Sequence, residues 1–357
     1  MSEILPKEFI FWLSVRIKSN LPKQNLLLNK PNIPVAVQNE NNSSQKDCFW
    51  LAPLHGITYY YYRNILFQHS AGIEKVITPF FPAHLFDKLN VKKWTDLSKE
   101  KNPYLSVIPQ LMGNDPQAMV DTALALQNIL GYKEINWNVG CPMNQIVRKQ
   151  RGCGLMPYQE TIESVVKAIT QKTDISFSVK LRLGLKDPQE GLEIIKILND
   201  YPIDSIIIHP RLGIQQYEGV VDLDEFEKMY QLSKHPVIYN GDIVDIESFQ
   251  KVKARFPEIH NFMIGRGILR NPFLVEELQK GERVPSIVRI DRFNKYYKDL
   301  ISSYYALRGD QASLPKLKEL WKYMATFFDL SDDQLKMLLQ ITDIKKFEEA
   351  LSYLLMC

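Results

Sequence analysis

The chain has 357 residues, of which 45% are hydrophobic and 24% charged, with a formal net charge of +3. These are the proportions of an ordinary globular protein, and the length suits an α/β barrel of about 250 residues with a smaller domain beside it. No apolar run approaches the roughly 18 residues of a membrane span, and so small a net charge does not by itself mark a nucleic-acid partner.

Residues 9 to 13 are apolar, but Glu3 and Glu8 precede them and no small-residue cleavage site follows. No signal peptide is therefore expected, and the chain reads as cytoplasmic. The four cysteines, Cys48, Cys141, Cys153 and Cys357, show no CxxC spacing. That argues against a zinc site, an iron–sulfur cluster or a disulfide framework, so no metal is expected. Residues 1–47 form an N-terminal extension whose polar run from Gln38 to Gln45 reads as a linker or disordered arm.

From Phe49 a short apolar strand, a turn and an amphipathic helix recur. The expected strands are Phe49 to Ala52, Lys75 to Thr78, Leu105 to Gln110, Glu134 to Trp137, Ser176 to Leu181, Ser205 to Ile208, Pro236 to Tyr239 and Asn261 to Ile264. Helices are expected over Pro116 to Leu130, Tyr158 to Thr170, Pro188 to Leu198 and Asp245 to Phe256, the first with Asp115 as N-cap and Pro116 at its first position. Eight strands can close a parallel barrel, although an open doubly wound sheet shows the same alternation.

After Pro272 the strand signals vanish. Ile287 to Leu307, Leu317 to Phe328, Asp332 to Leu339 and Ile344 to Leu355 read as helices, giving a separate helical domain over 283–357 behind a barrel over 48–282. Its first half is rich in Arg and Lys, among them Arg283, Arg292, Lys316 and Lys318, interleaved with Tyr296, Tyr304 and Trp321. Such a run is either a solvated face over an aromatic core or a platform for phosphates.

In a barrel the C-terminal strand ends meet at one mouth. There the sequence places Pro53 and His55, Gln110, Asn138 and Cys141, Lys180 and Arg182, His209 and Arg211, Asn240-Gly241-Asp242, and Gly265-Arg266-Gly267. Cys141, between Gly140 and Pro142, is either a buried apolar residue or a thiol able to hand over a proton beside a bound ring. An inward Lys180 needs a carboxylate or an electron-rich ligand, which a flavin gaining charge on reduction supplies. His209 is a core histidine or a ligand contact. The two glycine turns after the last strands suit a phosphate.

These motifs resemble the tRNA-dihydrouridine synthase family. The resemblance covers roughly Phe49 to Trp321 and rests on Leu51 to Thr58, Pro109-Gln110-Leu111, Asn136 to Pro142, Val179 to Gly184, His209-Pro210-Arg211, Asn240 to Ile243 and Met263 to Gly267. It implies a TIM barrel holding FMN, then a helical domain that helps clamp tRNA. By this likeness Pro53, Leu54, His55, Gln110, Lys180, His209, Asn240, Gly241, Asp242, Gly265 and Arg266 bind FMN; Cys141 is the proton donor; Asn138 and Arg182 contact the uridine; and Lys316 and Lys318 match basic residues of the helical domain. The implied reaction uses NADPH to reduce the flavin, hydride delivery to C6 of uracil and protonation of C5, with a thiol whose pKa is not strongly lowered. The expected partner is tRNA, with no membrane, and the chain is expected to act as a monomer. Departures from the family pattern are His55, the aromatic run Tyr59 to Tyr62, and Pro210. The alternatives are an FMN barrel acting on a small molecule, of the dihydroorotate dehydrogenase or ene-reductase type, and an RNA-binding barrel without catalysis.

Overall fold

The computed structural model describes residues 46–83, 95–103 and 106–355. The expectations for residues 1–45, for Leu105 as the start of a strand and for Cys357 lie outside the described residues. The strands are β1 (Cys48–Leu51), β2 (Ile73–Ile77), β3 in two pieces (Ser106–Ile108 and Gln110–Met112), β4 (Glu134–Val139), β5 (Ser176–Gly184), β6 (Ser205–Leu212), β7 (Val237–Tyr239) and β8 (Asn261–Ile264).

Every pairing is parallel, and β8 returns to β1 with Trp50 opposite Met263. Closure on the other side runs through β3. Its first piece pairs with β2 and its second with β4. Pro109 separates the pieces because it has no N–H to give the ladder. Its carbonyl still accepts from Asn136 N at 2.9 Å, and the preceding Ile108 carbonyl accepts from Thr78 N at 3.0 Å. One segment thus bonds both neighbours and the eight strands form the expected barrel. A two-residue strand, Phe81–Pro82, adds to the second piece of β3.

Helices α1 (Tyr60–His69), α2 (Pro116–Asn128), α3 (Gln159–Lys172), α4 (Gln189–Leu198), α5 (Leu223–Leu232) and α6 (Ile246–Arg255) alternate with the strands. Asp115 caps α2 by accepting from Ala118 N, and Asp245 and Ser248 form a capping box on α6. Each such cap contributes about 1 kcal/mol.

Inside the barrel the alternation of strand side chains sets the layers. Trp50, Ala52, Ile77, Ile108, Ile207, Ile238 and Met263 form one apolar cluster. Two residues further along their strands, on the same face, stand Gln110, His209, Asn240 and Gly265. The interior changes from hydrocarbon to polar groups in one step toward the mouth.

After β8 come α7 (Arg266–Arg270), α8 (Leu274–Lys280) and α9 (Ser286–Arg308). The chain divides into two compact units, with Asp47–Leu307 in one and the region from Arg308 onward in the other. The sequence pattern changes near residue 283, but α9 packs with the barrel. Arg292 forks onto Glu276 at 2.6 and 3.0 Å and lies over the Phe273 ring, while His69 Nε2 meets Asp299 at 2.8 Å. Tyr296, Tyr297 and Tyr304 are buried. These three aromatic residues of the basic stretch therefore belong to the core.

The second unit contains α10 (Asp310–Met324), α11 (Asp332–Gln340) and α12 (Ile344–Leu355). Leu317, Trp321, Leu338, Phe347 and Leu351 are buried. α10 starts earlier than the expected Leu317 and carries Pro315 within it. Among the described residues no helix is long and apolar enough to cross a membrane, and no group of three His, Cys, Asp or Glu residues could hold a metal.

Arg63 on α1 is fully buried and donates to Thr58 O, Asp96 Oδ2, Asp96 O and Asn102 Oδ1 at 2.7 to 3.1 Å. Removing it strands the buried Asp96 carboxylate, which costs about 3–5 kcal/mol. Arg63→Met should lose that much in urea unfolding, whereas Arg283→Met, which breaks an exposed pair with Glu247, should lose less than about 1 kcal/mol. Equal losses would contradict this reading of the buried pair.

Candidate active site

The site grows from β4. Ile135, Trp137 and Val139 are fully buried, and the alternate residues Asn136 and Asn138 point into the barrel. A chain of side-chain hydrogen bonds crosses three strands there. Asn138 Nδ2 donates to Gln110 Oε1 (2.8 Å), Gln110 Nε2 to Asn136 Oδ1 (2.8 Å), and Asn136 Nδ2 to Ser178 Oγ (3.0 Å). At the open end Asn138 Oδ1 accepts from Gly140 N at 3.1 Å and Cys141 N at 2.9 Å. The amide chain thus fixes the backbone that carries the thiol.

A second clamp comes from the loop beyond. Cys153 N donates to Cys141 O at 3.0 Å, and a Cβ on Gly152, whose φ is +55°, would collide with that carbonyl. Glycine is required at this close approach. Cys141 is half-buried, and burial pushes its thiol above the ordinary value against the opposing pull of Met143 N–H, Arg182 and Lys180. The sulfur therefore holds its proton at neutral pH.

Two cations adjoin it. Lys180, half-buried on β5 opposite Asn138, has no hydrogen-bond or ion-pair partner among the described residues. Among the described residues the internal salt bridge considered for it does not form. Burial, and then the Arg182 charge, pull its ammonium down to about 7. Arg182 is buried, with Nε on Gly140 O at 3.0 Å and Nη1 on Leu212 O at 2.9 Å, and it has no carboxylate partner among the described residues. Arg182, and Lys180 in its protonated form, are largely desolvated and have no counter-ion among the described residues, which is costly unless a ligand compensates them.

His209, opposite Arg182 on β6, is held well below its usual value by burial and by the Arg182, Lys180, Arg211 and Arg266 charges. Its ring is neutral at pH 7. Nε2 lies 3.3 Å from the donor Arg211 Nη1, so the ring proton sits on Nδ1. Asn240 donates to Met263 O at 2.7 Å. A Cβ at Gly241 would run into the Tyr239 phenol, so this glycine has a packing reason of its own, while Gly265 faces Ala52 and Leu54. Pro53 and Leu54 are half-buried after β1, and His55 is exposed and stacked on Phe80 at 4.8 Å.

Asp242 accepts from both Arg211 Nη groups and from Arg266 Nη2. Burial pushes its carboxyl up, but the two arginines more than offset this and leave it below the usual range. Asp242 thus stands as the anchor of two guanidinium groups. Lys316 and Lys318 are not part of this constellation and belong to the other compact unit. Lys316 pairs with Glu319 at 2.6 Å, and Lys318 has no carboxylate partner among the described residues.

The sequence reading missed Tyr217. It lies in the loop between β6 and α5, half-exposed, with its ring 5.3 Å from the Arg182 guanidinium, 5.1 Å from that of Arg266 and 6.4 Å from the His209 ring. That loop has no periodic pattern. The only signal was an aromatic residue between Ile214 and Val220, apolar positions that are also exposed.

Lys180 supplies a pH test. Its folded value lies below the 10.5 of an ordinary lysine, so the folded chain binds fewer protons between about 7 and 10.5. The cost of holding it is full below that window and relieved as pH rises through it. In the ligand-free chain, competitive labelling with acetic anhydride should show Lys180 becoming reactive with a midpoint near 7. A midpoint near that of surface lysines would contradict the assignment.

A family model described as Dihydrouridine synthase (Dus) matches residues 50–351. A "Probable tRNA-dihydrouridine synthase" of Helicobacter pylori is 25% identical over 284 residues, covering 78% of this chain and 83% of that protein. The "tRNA-dihydrouridine(16) synthase" of Vibrio vulnificus is 26% identical over 315 residues, covering 85% of this chain and 96% of that protein. Among solved structures, the old yellow enzyme of Trypanosoma cruzi superposes with a TM-score of 0.50 at 11% identity, over 72% of this chain and 93% of its own, a likeness of fold. With the model spanning most of its length, the chain belongs to the dihydrouridine synthase family.

Proposed function

We propose that this protein is an FMN-dependent tRNA-dihydrouridine synthase that reduces the C5–C6 double bond of a uridine in tRNA, with NADPH as reductant. The observation that carries the reading is Cys141, whose thiol pKa burial raises, beside Lys180 and Arg182, which have no counter-ion among the described residues. The family membership and the names of the relatives support the tRNA substrate.

The residues fit a flavin. Lys180 offers a cation to a ring that gains electron density, His209 offers an Nδ1–H donor, and the wall at Ala52, Leu54 and Gly265 is apolar. Pro53, His55, Gln110, Asn240 and Gly241 would complete the enclosure. Asp242 would act by aiming Arg266, and Arg266 would meet the phosphate. When bound and reduced, the flavin supplies the hydride.

The chain's own groups supply the rest. Cys141 gives its proton to C5, and because its thiol is held neutral no prior protonation is needed. Among the described residues Arg182 Nη2 has no hydrogen-bond partner and can donate to a uracil carbonyl, while the second Nδ2 hydrogen of Asn138 can do the same. Tyr217, set between the two guanidinium groups, offers a face on which a base can stack. The uridine has to leave its stack to reach this depth, which a loop permits more cheaply than a helix. In this reading Lys318, together with Lys316, contributes to binding tRNA, and the protein works as a cytoplasmic monomer.

Cys141→Ala should lower dihydrouridine formation by about 10²–10⁴-fold while flavin absorbance and tRNA affinity stay at parent levels. Unchanged dihydrouridine yield, counted by mass spectrometry of tRNA digests, would remove the acid role. A small-molecule flavoenzyme would show no salt-dependent tRNA affinity at all.

A further inference from the structure

The loop that clamps Cys141 also carries charge that the chemistry does not use. Residues 144–147 form one helical turn, and Gly152–Leu155 a second turn packed against it. A Cβ on Gly154 would strike the Val147 backbone, and Cys153 N closes the loop on Cys141 O. Asn114, just past β3, accepts from Arg151 Nε at 3.3 Å and donates to Lys149 O at 3.3 Å and Gln150 O at 3.2 Å. Both loops follow C-terminal strand ends, so the tip lies on the mouth face.

At that tip Arg148 and Lys149 are exposed, with no ion pair and no side-chain hydrogen bond among the described residues. The carboxylate nearest in sequence to Asn114, that of Asp115, accepts from Ala118 N as the cap of α2. Many other cations of the barrel unit are paired: Lys75, Lys196, Lys228, Lys253, Arg255 and Lys295 each meet a carboxylate. Two unpaired cations on a loop braced at three points, a few residues from the thiol, are a fixed positive feature rather than a mobile fringe.

We propose that Arg148 and Lys149 grip the phosphates of the RNA strand beside the reacting uridine. This rests on the functional reading above and adds the surface that holds the substrate backbone. Phosphate contacts set register without reading sequence. A phosphate held at its tip adds to affinity for the tRNA, while the loop fixes the Cys141 backbone whether or not that phosphate is gripped.

The test uses the flavin-loaded full chain and an unmodified tRNA transcript, with binding measured across a salt series. R148Q/K149Q should lessen the slope of log Kd against log[salt] by about 1.5–2 units for two lost contacts, and should raise KM for tRNA about tenfold or more with kcat within twofold of parent. The control K133Q/K234Q removes two exposed cations that precede β4 and β7, at the opposite end of the barrel, and should leave slope and KM unchanged. Flavin absorbance and the melting temperature confirm that each variant is folded and loaded. A parental slope in R148Q/K149Q, an equal change in the control, or a loss confined to kcat would overturn the proposal. Parent protein that fails to bind tRNA would instead defeat the functional reading itself.

Discussion

One step of two residues along each strand separates this protein's core from its chemistry. A parallel strand presents every second side chain to the barrel axis, so Ile108 is followed by Gln110, Ile207 by His209, Ile238 by Asn240 and Met263 by Gly265. The lower members exclude water and fix the register, since a slip of one residue would exchange inner and outer faces on that strand. The upper members then have no freedom to leave the mouth. Closure through the two pieces of β3 matters for the same reason: it places Gln110 beside Asn136 and lets the amide chain span three strands.

The electrostatics follow from that placement. Lys180 and Arg182 sit two residues apart on one strand face, and His209 and Arg211 do the same on the next. Among the described residues only the outer pair of cations has a counter-ion: Asp242 serves Arg211 and Arg266. The inner pair has no counter-ion among the described residues: Arg182 donates to backbone carbonyls and Lys180 has no partner. Charge compensation among the described residues therefore stops one layer short of the thiol, and in the proposed reading a ligand that carries or develops negative charge would complete it.

Much of this was legible in the sequence, for identifiable reasons. All eight strands show as apolar runs bounded by turns, Asp115-Pro116 announces a helix start, and glycine beside Cys141 announces a tight backbone. Closure was not legible in the periodicity, which an open sheet shares, and was expected only from the family resemblance, because it depends on Pro109 accepting across a gap in the ladder. Neither was the pairing of Asp242 with two arginines, which come from other segments of the chain, nor Tyr217, which lies in a loop without period. The basic stretch beyond residue 283 left two readings open, a solvated face over an aromatic core or a platform for phosphates, and the burial of Tyr296, Tyr297 and Tyr304 on α9 agrees with the aromatic core.

In the proposed reading, the upper layer of this barrel encloses one flavin with Lys180 at its edge. Titrating the purified chain with FMN and following flavin fluorescence tests it most directly. The account requires one equivalent to bind with quenched fluorescence, and Lys180→Met to weaken the reduced flavin more than the oxidised one. Fluorescence that stays at the free-flavin level, or a reduced-to-oxidised affinity ratio unchanged by the substitution, would contradict it.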